Sequence, residues 1–274
     1  MEKFPGASLH GIWPRLSDTS KAAITREIAS YVLQIRKNCV FHEIGGLYHD
    51  SDAEFTVGPI VTQSMFINGR RQLISRTRGP YHHDSDYARA LIDLQIADVH
   101  FLKTMSSNDP NFDEDLLEDG PAILHAMEGM LFLLPKIFPR DGEKNEPFRT
   151  VLLHPDISLN NIMVDPNTLK VAGIIDWECT NASPYWQDTY LTGPEVEEQP
   201  ARVEPGDRDP LRNELWDNWE KMQLRAVFDE IAGPLVEEPL AELKRELINY
   251  VHLVEYTQVM VERWMEETRE KIET

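Results

Sequence analysis

Two cysteines in 274 residues, Cys39 and Cys179, make no disulfide framework and have no metal-ligand spacing, and such sparing thiol use fits a reducing compartment. Long apolar runs are missing too. The longest, Gly129–Pro135, is far too short to cross a bilayer, and the opening residues MEKFPG contain no apolar signal region. Together these absences predict a cytoplasmic protein with no membrane partner. Basic residues are outnumbered, with Lys plus Arg at 27 against 47 Asp plus Glu, for a formal net charge of −20. That argues against nonspecific nucleic-acid binding, which needs a basic footprint. It leaves room for a cationic small-molecule substrate or a divalent cation, and in the first place it solubilises. The last absence is the glycine-rich phosphate loop: neither G-x-G-x-x-G nor G-x-x-x-x-G-K-[ST] occurs, and Gly45-Gly46 and Gly69 read as turns.

What is present is ordinary in bulk, 41% hydrophobic and 27% charged, and long enough for one large domain or two small ones. The informative stretch is Val151 to Asp188. An apolar run, Val151-Leu152-Leu153, turns polar at His154-Pro155-Asp156. Ile162-Met163-Val164 and Val171 to Ile175 are further apolar runs separated by Asp165-Pro166-Asn167-Thr168, a strong turn signal, so Ile162–Ile175 reads as a hairpin. Asp156 and Asn161 then stand before its first strand and Asp176 just after its second. Two carboxylates and a carboxamide are hard oxygen ligands suited to Mg²⁺ that also holds phosphate.

His-x-Asp-x-x-x-x-Asn followed by an apolar hairpin ending in Asp is the catalytic-loop and metal-loop order of kinases. Trp177-Glu178 after Asp176 departs from the Phe-Gly of protein kinases, and IIDWE with Pro184 and Asp188 behind it resembles the aminoglycoside phosphotransferase family. The G-P and R-G-P-Y segments around Pro59 and Tyr81 are similar to those of fungal-type members. The resemblance implies an α+β, predominantly helical, protein-kinase-like fold and an ATP-dependent small-molecule hydroxyl kinase using Mg²⁺. It assigns Asp156 as catalytic base, Asn161 and Asp176 as metal ligands, and Met163 and Ile175 as the floor under adenine. His154 and Asp188 become structural supports. Pro155 stands where the family usually has glycine, and a fixed φ there bears on the aim of Asp156.

By the same resemblance residues 1–8 are an interlobe linker, with backbone groups of Glu2 and Phe4 meeting adenine and Pro5-Gly6 turning into the large lobe. The expectation is thus a large lobe alone, with the small N-terminal lobe absent and activity impaired. A kinase-like remnant acting as a binding module is the alternative.

The remaining chain reads as a helical part with a small β insertion over 9–150, the catalytic and metal loops over 151–188, and an acidic loop with C-terminal helices over 189–274. Ser17-Asp18-Thr19 offers caps for a helix over 19–37, carrying Ile24, Ile28, Val32 and Ile35 on one face. Thr56–Val61 and Gln72–Thr77 are strand-like around Asn68-Gly69. His82-His83-Asp84 has no further ligand at a useful spacing, so Asp84-Ser85-Asp86 reads as the start of a helix reaching about Met105. Asp119-Gly120-Pro121 is expected to start the next helix, which ends before Pro135. Glu195, Glu197 and Glu198 are candidates for holding substrate amino groups, and Leu211–Ile231 and Pro239–Glu273 are long helical patterns.

Overall fold

A computed structural model describes residues 5–49, 55–62, 78–109, 112–140, 149–187, 200, 210–232, 240–254 and 258–273. The chain divides into two units, each assembled from separated segments. The first comprises Met1–Cys39, His154–Glu178 and Asp188–Leu235; the second comprises Val40–Leu153, Cys179–Gln187 and Val236–Thr274.

The first unit is built on a three-stranded sheet in the order β1-β6-β7, from β1 (Ala7–Ser8), β6 (Ile162–Val164) and β7 (Val171–Ile174). The expected hairpin is therefore present. Its turn is tied by Asp165, whose carboxylate accepts from the backbone N–H groups of Asn167 at 2.8 Å and Thr168 at 3.0 Å. The short strand β1 lies antiparallel to β6, with Ala7 opposite Val164 and Ser8 opposite Met163. Gly6 makes this approach possible: its φ is +109°, and a Cβ there would sit 2.7 Å from the Val164 carbonyl oxygen. A short helix α1 (Leu9–Ile12) and then α2 (Asp18–Asn38) follow. Ser17 caps α2 by accepting from the Ser20 N–H at 3.2 Å. From α2 come Ile24, Ile28, Ala29 and Val32, which pack with Leu9, Ile162, Val164, Val171 and with Phe228 of α5 (Pro210–Ala232) in one core. Lys21 and Glu220 form a largely buried ion pair, and Trp13 donates its indole N–H to the same carboxylate at 2.8 Å.

The second unit holds a five-stranded antiparallel sheet in the order β2-β5-β8-β3-β4: β2 (Val40–Phe41), β3 (Gly45–His49), β4 (Phe55–Gly58), β5 (Thr150–Leu153) and β8 (Asn181–Pro184). The expected strand near Val57 is β4, and it pairs with β3; Gln72–Thr77 lies outside the described residues. A helical core accompanies the sheet, from α3 (Asp84–Leu102), α4 (Glu114–Ile137), α6 (Ala241–Leu253) and α7 (Gln258–Glu273).

Two expectations are corrected here. Helix α4 starts at Glu114, ahead of Asp119, and runs past Pro135 to Ile137. The Asp113 carboxylate caps it by accepting from the Leu116 N–H at 2.9 Å, Glu114 and Asp115 suit the first-turn dipole, and Leu116 is buried. A proline within a helix costs about 3 kcal/mol. Burial of Ile123, Met127, Met130, Leu133, Leu134 and Ile137 outweighs it. The pattern over Pro239–Glu273 is two helices rather than one. The apolar stripe ends at Val254 and resumes at Val261, with Thr257 and Gln258 where a continuous stripe needs an apolar residue.

The start of α3 at Asp84 matches the reading of that segment. Asp84 also ties elements together, since its carboxylate accepts from Lys244 at 2.8 Å and from the Trp186 indole at 3.1 Å. Among the described residues no helix is long and apolar enough to cross a membrane.

Candidate active site

The candidate site residues named from sequence that are described belong to the first unit, on the loop and hairpin His154–Glu178. His154 is 5% exposed and holds two backbone segments together. Its Nδ1 accepts from the Asp156 N–H at 3.1 Å, and its Nε2 donates to the Ile175 carbonyl at 3.0 Å. An N–H can only donate and a carbonyl only accept, so these partners fix the tautomer with its proton on Nε2. One imidazole thus links the residue before Asp176 to Asp156 itself.

Asn161 supplies the second link. It is buried, and its Nδ2 donates to both the carbonyl and the carboxylate Oδ2 of Asp156, each at 3.0 Å. Its own carbonyl accepts from the Ile175 N–H at 2.9 Å, so the residue between Ile174 and Asp176 is held on both sides. With Nδ2 spent on Asp156, the Asn161 Oδ1 is left without a donor among the described residues. Ser158 adds a long hydrogen bond, 3.4 Å, to the Asp156 carboxylate.

Asp156 and Asp176 are both exposed, and among the described residues neither carboxylate has a cationic partner. Asp176 takes a left-handed backbone, φ +66°, as the chain leaves β7. For a non-glycine residue that conformation costs on the order of 1–3 kcal/mol and persists where its surroundings over-determine it. Trp177, the next residue, donates its indole N–H to the Ile174 carbonyl at 2.8 Å. Its ring meets His154 edge-on, with centroids 4.7 Å apart.

The structure therefore brings His154, Asp156, Asn161 and Ile175 into one hydrogen-bonded group with Asp176 at its rim. Met163 lies on β6, half-buried, between Ser8 of β1 and Gly173 of β7. Glu2, Phe4 and Asp188 lie outside the described residues, as do Glu195, Glu197 and Glu198. The Trp177–His154 contact is not legible in the sequence. Its partners are separated by most of the hairpin, and a tryptophan after Asp176 reads there only as a family mark.

Among the described residues no three His, Cys, Asp or Glu side chains gather as a metal site. The donors offered here are two carboxylates with no cationic partner and a carboxamide oxygen with no donor among the described residues. That set fits Mg²⁺, which keeps waters and phosphate oxygens and takes only one or two carboxylates from a protein.

Compared with known sequences, residues 88–231, a little more than half of the chain, match the model of a phosphotransferase enzyme family. No curated protein and no solved structure matches.

Proposed function

The chain belongs to the phosphotransferase enzyme family, and on that premise we propose that it transfers the terminal phosphoryl group of ATP to a hydroxyl of a small molecule. One observation carries the reading: the Asn161 carboxamide spends its donor on the carbonyl and the carboxylate of Asp156 and keeps its acceptor open. That geometry gives Asp156 and Asn161 different roles. Asp156, exposed and anchored through its own N–H and carbonyl, orients the substrate hydroxyl and takes its proton as the oxygen bonds to phosphorus. Asn161 and Asp176 are the residues to hold Mg²⁺, which when bound neutralises charge on the phosphate oxygens. His154 keeps the two loops in register. Met163 and Ile175 are proposed as the apolar floor for adenine. Backbone groups of Glu2 and Phe4 are proposed to meet the adenine ring. Asp188 is proposed as a fastener of the following loop.

The net charge of −20 favours a cationic substrate over an anionic one, with no nucleic acid as partner. Residues 1–274 contain no glycine-rich loop to cradle a triphosphate, so weak ATP binding and low turnover are expected of this chain by itself. The test is thermal unfolding with MgATP, followed by phosphate transfer to a panel of aminated and neutral polyols. Asp176→Ala is expected to abolish the MgATP shift. Asp156→Asn is expected to keep the shift and lower kcat by about 10²- to 10⁴-fold. No shift at millimolar MgATP overturns the proposal.

A further inference from the structure

Three consecutive backbone groups at the end of β7 are clamped, each by a different partner. The Ile174 carbonyl accepts from Trp177, the Ile175 N–H donates to Asn161, and the Ile175 carbonyl accepts from His154. Asp176 comes next in its left-handed conformation. The indole of Trp177 folds back across that residue and closes a loop onto the Ile174 carbonyl, three residues before the tryptophan. The same indole then packs against the imidazole that holds the Asp156 N–H.

We propose that Trp177 is a positioning residue: its N–H and its ring together hold Asp176 in a left-handed turn and couple that carboxylate, through His154, to Asp156. The proposal rests on the reading of Asp156, Asn161 and Asp176 as the reacting centre. Nothing about it requires a buried side chain. Trp177 is 38% exposed, so its contribution lies in orientation more than in burial. Phenylalanine at this position keeps a ring against His154 and lacks the donor; alanine removes both. The two variants separate the hydrogen bond from the packing.

Two measurements test this on the whole chain. The first needs no ligand: imidazole ¹⁵N NMR, with the His154 signal assigned by its loss in His154→Gln. Wild type is expected to show the Nε2–H tautomer, Trp177→Phe to retain most of it, and Trp177→Ala to show a mixture of both tautomers. The second uses Mn²⁺ with ADP as the probe, followed by water-proton relaxation. Groups that orient metal ligands typically contribute 10- to 100-fold in affinity, so Trp177→Ala is expected to weaken binding by about 10-fold or more, with Trp177→Phe between it and wild type. Asp176→Asn is expected to abolish it.

A Trp177→Ala chain with the wild-type tautomer and wild-type Mn²⁺ affinity overturns the positioning role and leaves the reading of the site intact. Equal relaxation in wild type and Asp176→Asn overturns the reading itself, and the positioning role with it. Should Trp177→Ala unfold, Trp177→Phe decides: wild-type values in both measurements overturn the role assigned to the indole N–H.

Discussion

Asp165 shows how much a single half-exposed side chain can do for a site it never touches. It sits in the turn between the two strands that Asn161 and Ile175 flank, and its carboxylate accepts from Asn167 and Thr168. Those backbone donors, Thr168 foremost, hold its pKa below the usual carboxylate range. A carboxyl depressed in the folded state adds stability above its unfolded pKa, about 3.9, and loses it as pH falls through the folded value. Asp165→Asn is therefore expected to melt below wild type at pH 6, with the gap closing as both are acidified toward pH 3. Thermal melts across that range check it; a gap that stays constant with pH removes the charge from the explanation. The turn is legible from Asp165-Pro166-Asn167-Thr168 because each residue favours a turn for its own reason. The left-handed backbone at Asp176 is not, since no glycine or asparagine stands there to announce it.

Elements with local signals are readable, and those made by neighbours are not. Helix α2 advertises itself through Ser17 and a regular apolar face, and it appears over Asp18–Asn38. Strand β8, Asn-Ala-Ser-Pro, has no β-branched or aromatic residue; it is a strand because β5 and β3 pair with it on both sides. Helix α4 misleads because Gly120-Pro121 is strong punctuation, whereas the Asp113 cap and the burial of Leu116 act together only in the folded chain. That weighing can be measured. Asp113→Ala is expected to cost about 1 kcal/mol of global stability, the typical worth of an N-cap, while Asp119→Ala costs much less. Urea denaturation of both variants decides it, and the opposite order restores the later start. The boundary between α6 and α7 carries no proline or glycine, so only the gap in the apolar stripe could mark it.

At the scale of the whole molecule the dominant fact is the charge of −20, which repels the folded chain against itself. Added salt screens that repulsion over roughly 8 Å at 0.15 M. The melting temperature is expected to rise between low and moderate NaCl, and MgCl₂ at equal ionic strength to raise it further by an increment that Asp176→Ala removes. Identical curves in the two salts leave only screening. Connectivity has a different consequence. Phe228 packs with Ile162, Val164 and Val171 in the core of the unit that carries Asp156, Asn161 and Asp176, and all of them precede it in the chain. A nascent polypeptide on the ribosome has therefore spelled out the whole stretch from His154 to Asp176 well before Phe228, the last residue of that core, exists. A premature stop or a proteolytic cut after the hairpin leaves a fragment with every proposed reacting residue present and its core incomplete. Transcripts or fragments that retain the motif and end before Phe228 are, on this account, signatures without a site.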